Sequence, residues 1–225
     1  WAILQPFAQM VVFSIFFGGL AKVPSDGVPY PIFSYTALLP WGLFSKALQD
    51  AGRSLVNNRH MITKVFFPRL ILPLSTLLAG IVDFLIAFVV LLGMMVYYQV
   101  PPTMNIWTLP LFLLLALMTA MGVGLWLSAL NVLYRDINYA THFITQFWMF
   151  ITPIVYSSSM IPDQWRLIYS VNPMAGVVNG FRWALLGIGN PPGLDLLVSV
   201  TVAFLLLISG LFFFKRTERL FADMV

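Results

Sequence analysis

Cysteine is absent from the 225 residues, which excludes disulfides, thiolate metal sites and a cysteine nucleophile. Charge is nearly as scarce: Asp, Glu, Lys and Arg make up 9% of the chain, where a soluble domain carries about a quarter. With 60% hydrophobic residues and a mean hydropathy of +0.90, the sequence reads as an integral membrane protein. Period-2 alternation punctuated by regular turns is missing, which excludes an outer-membrane barrel. Also missing is the pattern GxxxxGK[ST], so the chain has no Walker A loop to cradle nucleotide phosphates. Its net charge of +4 comes without a contiguous basic face, so no nucleic-acid partner is expected. The two histidines, His60 and His142, are not at metal-ligand spacing. There is no nucleophile with an adjacent base and no carboxylate pair at glycosidase spacing. No long-period repeat or linker divides the chain, so residues 1–225 form one membrane domain.

What the sequence does contain is a set of uncharged apolar runs near the roughly 20 residues that a helix needs to cross hydrocarbon. They predict an all-α fold of six transmembrane helices, over 1–21, 33–50, 70–98, 108–130, 139–156 and 194–214. Between the fifth and sixth lie two short helical candidates, 163–171 and 173–186. Asn172 is a good N-cap for the second, Pro173 a good first-turn residue, and Gly187 a stop. Both are too short to span and too apolar for water, which predicts a re-entrant or interface-lying pair. Pro40 and Pro153 are expected to kink their helices, and Lys46 to snorkel.

Orientation follows from the basic residues. Arg53, Arg59, Lys64 and Arg69 crowd into one loop, 52–69, with no acidic residue among them. With Arg135, Lys215, Arg216 and Arg219 they place eight cations inside, against Lys22, Arg166 and Arg182 outside. Both ends are therefore expected in the cytoplasm. The loop is either a simple topology marker touching lipid headgroups or a short helix lying along the inner surface, with Val65, Phe66 and Phe67 as apolar anchors. Arg135 and Asp136 form a second inner island, as a contact or a local ion pair.

Asp83 is the costliest residue, since a carboxylate inside a span must find a partner or protonate. A packing bond to a neighbouring helix is favoured over proton coupling, because no chain of carboxylates accompanies it. Asn138, His142, Thr145, Gln146 and Met149 fall on one side of the fifth span, a stripe expected to face protein or water. Aromatic residues, 16% of the chain, offer flat faces for sugar stacking or simply a lipid belt and core. The candidates along a pore are Phe13, Phe16, Phe17, His142, Gln146, Tyr156, Trp165, Tyr169 and Trp183, with Phe143, Phe147 and Trp148 beside them.

Five stretches carry a resemblance that covers nearly the whole chain: WAILQP (1–6), NNRHMITKVFFPRL (57–70), NVLYRDIN (131–138), FITPIVYSSSMIP (150–162) and NPMAGVVNGFRWALLG (172–187). In this order and spacing the sequence resembles the membrane subunits of ABC-2 type exporters, within them the permeases that export O-antigen, capsule or teichoic acid chains. The resemblance implies a multi-pass protein of the bacterial plasma (inner) membrane, a homodimeric pore, and two copies of a separate ABC ATPase subunit. ATP would be bound by that partner, leaving this chain without a cofactor or metal and without enzymatic activity of its own. The substrate implied is a lipid-linked polysaccharide or polyol-phosphate polymer. Coupling to the ATPase would fall on Arg53, Asn57, Arg59, His60, Lys64, Phe66, Phe67 and Arg69, with Arg135 and Asp136 as a second contact. The family also has an amphipathic cytoplasmic segment ahead of the residues matching WAILQP, expected to precede Trp1. The rival readings are an ABC-2 exporter of a small lipid or drug, a passive channel, and a membrane enzyme acting on polyprenyl-linked sugars. The enzyme would need a metal held by outer acids, of which only Asp26, Asp163 and Asp195 are present.

The missing cysteines make the orientation directly testable. A membrane-impermeant maleimide should label Ser25→Cys in intact spheroplasts, and Lys64→Cys only after the membrane is opened.

Overall fold

The computed structural model describes residues 1–65, 67–134 and 136–221. Among these residues every regular element is helical: α1 (Leu4–Phe13), α2 (Tyr30–Asn57), α3 (Arg59–Lys64), α4 (Ile71–Tyr97), α5 (Leu109–Leu133), α6 (Ile137–Ile151), α7 (Asp163–Tyr169), α8 (Pro173–Leu186) and α9 (Leu194–Thr217). A π-helical stretch, Ser14–Leu20, prolongs α1, and a 3-10 turn, Met104–Thr108, leads into α5.

Three helices are long and apolar enough to cross a membrane on that criterion alone: Ile71–Tyr97, Met104–Leu133 and Leu194–Thr217. The other three expected spans do not meet it. Leu4–Leu20 is a shorter apolar helix, α6 has 15 residues, and α2 is long but more polar. At 28 residues α2 reaches about 42 Å, given 1.5 Å of rise per residue. Its polarity follows from its position. A helix facing lipid must be apolar around its circumference, whereas one wrapped by protein can carry polar groups. α4 and α9 expose Val82, Leu85, Val89, Leu197, Phe204 and Phe212, while Ile32, Phe33, Tyr35, Phe44, Leu48 and Leu55 of α2 are sealed from solvent. α2 packs against α1, α4, α5, α6 and α8, with Pro40 inside the helix without ending it.

α5 is wedged between α2 and α9 by glycines two positions apart. A Cβ on Gly122 would lie 2.7 Å from the backbone of Leu206 and Leu207, and one on Gly210 would lie 2.4 Å from the Gly122 carbonyl oxygen. Gly124 faces the opposite way, where an added Cβ would come within 2.9 Å of Ala51. The small residues expected at 121–128 thus serve two different helix contacts.

α6 ends at Ile151 instead of kinking at Pro153. A residue before proline is pushed out of the α region, and Thr152 is extended at φ −89° and ψ 140°. The two short helices then part company. α7 lies at the periphery with Trp165, Leu167 and Ile168 exposed. α8 enters the core, with Met174, Val177, Val178, Phe181, Ala184 and Leu185 fully buried. Its ends match the sequence expectation: the Asn172 side chain accepts from the Met174 amide at 3.1 Å, Pro173 occupies the first turn, and Gly187 closes the helix at φ +69°.

Arg182, counted above as an outward cation, is no loop charge. It sits on α8 at 3% exposure. Its guanidinium donates to the carbonyl oxygens of Pro153 (2.6 Å), Ile154 (2.8 Å) and Tyr156 (3.2 Å), and to that of Phe33 at 3.4 Å. The Phe33 ring lies beneath it, 3.5 Å from centroid to Cζ. Burial pushes its pKa down to about 9, with Tyr30 and Asp26 opposing the shift, so the group stays charged at neutral pH.

The glycine wedge predicts a graded response to adding one methyl group. Gly122→Ala should lower stability in detergent by about 2–3 kcal/mol, the upper part of the range for overpacking. Gly124→Ala should cost about 1 kcal/mol. Gly93→Ala, with nothing within 4 Å of its added Cβ, should be neutral or slightly stabilising. Thermal unfolding of the purified chain checks the order.

Candidate functional site

Three places gather the residues singled out from sequence. At the end where α2, α4, α5 and α9 meet the short α3, Leu55, Ile62, Leu72, Leu125, Val132, Phe214 and Phe221 form a small core, with Phe67 and Leu70 packed on it. The buried anchor of α3 is Ile62, which the sequence reading passed over for Val65, Phe66 and Phe67. Val65 is exposed and Phe67 half-buried, while Phe66 lies outside the described residues. The only signal for Ile62 was an aliphatic side chain between Met61 and the basic end of a six-residue helix. Arg59, His60, Met61 and Lys64 lie on the exposed face, continuous with Asn57 on the last turn of α2.

The two inner islands meet. Arg53 Nε donates to Asn138 Oδ1 at 2.5 Å, and Asn131 Nδ2 donates to the Gly52 carbonyl at 2.9 Å. Asp136 is exposed ahead of α6, and Arg135 lies outside the described residues. Arg69 is drawn inward: it donates to the Glu218 carbonyl oxygen and sits 6.0 Å above the Phe221 ring. Arg53 and Arg69 therefore tie helices together, and the basic surface is left to α3.

The second place is a cavity of about 510 Å³ between α1, α2 and α4, lined by Gln5, Gln9, Trp41, Gln49 and Asp50 together with Lys46 and Asp83. Lys46 and Asp83 form a salt bridge across its wall, with side chains 52% and 34% exposed. Asp83 has the neighbouring-helix partner expected of it, and Lys46 reaches that partner instead of snorkelling to the helix end. A charge pair on α2 and α4 spares both helices a lone charge inside a span. Two opposite charges in successive apolar segments were the available signal.

The third lies at the other end, around α7 and α8. Asn172 links three elements: its Oδ1 accepts from Trp148 Nε1 at 2.8 Å, and its Nδ2 donates to Thr152 Oγ1 at 3.1 Å while it caps α8. The Tyr156 and Tyr169 hydroxyls are 2.6 Å apart. Burial raises the Tyr169 pKa, and its bond to Tyr156 adds to the rise, so it remains a neutral phenol and cannot serve as a base. Tyr169 and Trp183 line a cavity of about 130 Å³ with Asn179 and Asp195.

The remaining candidates do not converge. Phe13 and Phe17 pack edge to face at 5.7 Å against the core, with Phe16 exposed. The polar stripe of α6 divides: Thr145 is buried, Asn138 and Met149 are half-buried, and His142 and Gln146 are exposed beside the stacked rings of Phe143 and Phe147. Trp165 is 52% exposed on α7.

Residues 1–186 match the family described as ABC-2 type transporter. Among curated proteins, the O-antigen export system permease protein RfbA of Klebsiella pneumoniae is 26% identical over 227 residues, covering 100% of this chain and 86% of that protein. The protein of the same name from Myxococcus xanthus is 26% identical over 228 residues, with the same coverage of 100% and 86%. The polysialic acid transport protein KpsM of Escherichia coli is 24% identical over 194 residues, covering 83% of this chain and 72% of that one.

The Lys46–Asp83 bond should emerge from a double-mutant cycle. Lys46→Met and Asp83→Asn each leave one partner alone, the variant carrying both closes the cycle, and the exchange Lys46→Asp with Asp83→Lys restores the pair. A coupling of about 1 kcal/mol is expected from unfolding in detergent, small because both side chains face the cavity. The exchange should recover more than half of the loss.

Proposed function

The chain belongs to the ABC-2 type transporter family, and we propose that it is the permease subunit of an ATP-driven exporter that carries a lipid-linked polysaccharide out of the cytoplasm. The observation that carries this reading is the alignment of O-antigen export permeases over the whole chain. A polyol-phosphate polymer is the neighbouring possibility within the same class of substrate.

In this reading two copies assemble in the bacterial plasma membrane with their termini in the cytoplasm, and two ATPase subunits bind beneath them. The chain contains no Walker A pattern, so it binds no nucleotide of its own by that loop and ATP belongs to the partner. Coupling then needs a contact whose strength differs between two states of the motor. α3 suits that role: Ile62 fixes it to the helical core while Arg59, His60 and Lys64 stay on its exposed face. A push on α3 would pass to α2, which runs into it with a single residue between, and through Arg53 and Asn131 to α6 and α5. α1 and α6 present Phe16, Phe143, Phe147, His142 and Gln146, a mixture of rings and polar groups suited to the wall of a path for a hydroxylated chain.

Co-expression with the ATPase partner tests this. Arg59→Glu with Lys64→Glu should cut the co-purified ATPase at least tenfold and abolish surface polymer, with the level of permease in the membrane unchanged. Undiminished recruitment and export would remove α3 from the coupling contact.

A further inference from the structure

α8 is buried along almost its entire length, and the exceptions form a pattern. Gly176, Asn179 and Trp183 are its only part-exposed residues. Their spacing of three and four puts them on one stripe of the helix, and all three line the 130 Å³ cavity closed by α7, the start of α9 and the 189–193 loop. The rest of its circumference carries Phe181 and Arg182 into the core. One helix thus holds the fold together on one side and presents a polar, aromatic wall on the other.

The chemistry of that wall is specific. Asn179 offers an amide, Trp183 an indole N–H and Asp195 a carboxylate, and none of these three groups has a hydrogen-bond partner among the described residues. Phe112, 1% exposed, and the Trp183 ring supply apolar faces. Arg166 and Asp195 put one side chain of each sign in the lining. For scale, an engineered cavity of about 150 Å³ accepts benzene, so one six-membered ring fits here if its substituents point toward the exposed rim at Asn190, Pro191 and Asp195.

We propose that this cavity is a subsite for a single uncharged pyranose ring. A pyranose has both of the surfaces required: an apolar C–H face to lie on Trp183 or Phe112, and hydroxyls to donate to Asp195 and exchange hydrogen bonds with Asn179. An acyl chain would leave the amide, the indole N–H and the carboxylate unpaired. A phosphate would meet the Asp195 carboxylate as well as the Arg166 guanidinium, so the cavity offers an anion no net attraction, whereas a neutral glycan can use the amide, the indole and the carboxylate together. The assignment rests on the exporter reading for its substrate class and narrows it, placing the contact at the α7–α8 end, distant in the fold from α3.

The test is saturation-transfer difference NMR on the full chain in lipid nanodiscs, with methyl α-D-mannopyranoside, methyl α-D-glucopyranoside, methyl β-D-galactopyranoside and glycerol 1-phosphate as separate probes. At least one pyranoside should receive saturation, and Asn179→Leu and Asp195→Asn should each reduce it at least fivefold. Glycerol 1-phosphate should neither bind nor compete. Asp195 is exposed, so its variant remains decisive if Asn179→Leu fails to fold. Silence from all three pyranosides, transfer unaffected by Asp195→Asn, or equal competition by glycerol 1-phosphate would overturn the subsite. ATPase recruitment separates the two readings. A permease that recruits its motor and exports but takes no pyranoside here loses only the subsite, and one that binds pyranoside without recruiting a motor loses only the exporter assignment.

Discussion

A guanidinium with no water around it must be surrounded by acceptors, and Arg182 finds them on the backbone. Pro153, Ile154 and Tyr156 follow directly on the end of α6, where the helix leaves carbonyl oxygens without amide partners and concentrates negative potential. The irregular run after Thr152 would otherwise bury carbonyls at a cost of about 1–3 kcal/mol each. Arg182 satisfies several of them with one side chain, and a further bond to Phe33 reaches α2. Removing the cation would leave both the segment and the approach of α8 to α2 without their common partner. The position of α8, and with it the wall formed by Asn179 and Trp183, depends on this contact.

Around that centre the helices sort by what they touch. α2 is the most enclosed of the long helices and the least uniformly apolar: its neighbours bury Ser34, Thr36 and Ser54, while Lys46 and Asp50 line the cavity between α1, α2 and α4. α4 and α9 keep a continuous apolar exterior. α5 stands between the two kinds, and its glycines allow backbone-to-backbone approach where no side chain would fit. In a bilayer, where apolar surface gains little by being hidden, such close packing is a principal source of helix association.

Much of this was legible in the sequence. The caps of α8 could be read because Asn172, Pro173 and Gly187 act through local backbone chemistry, and the long apolar runs declare α4, α5 and α9 by length alone. Three features could not be read. Arg182 looked like an outward charge, since charge counting registers sign and order but not burial. α6 was expected to continue through Pro153, and whether a proline kinks or ends a helix depends on what takes up the carbonyls beyond it. The Lys46–Asp83 bond joins residues 37 apart, and only the packing of α2 on α4 determines that they meet. At the candidate sites, residue types such as Tyr169 and Trp183 were identifiable in advance. Their convergence with Asn179 and Asp195 on one cavity was not, because it comes from three separate helices.

The bond between Lys46 and Asp83 also bears on how the chain is made. A helix that enters a bilayer carrying a lone charge near its centre does so at about 2.5–3.5 kcal/mol on insertion scales. α4 carries Asp83 as its single charge, α2 carries Lys46 with Asp50 and Arg53 nearer its end, and only α3 and its short flanking turns separate the two helices. Entering one after the other, each would leave its charge without the partner on the other helix. Entering as a hairpin already joined through Lys46 and Asp83, neither does, so a contact that contributes modestly to the finished fold favours a particular order of assembly during synthesis.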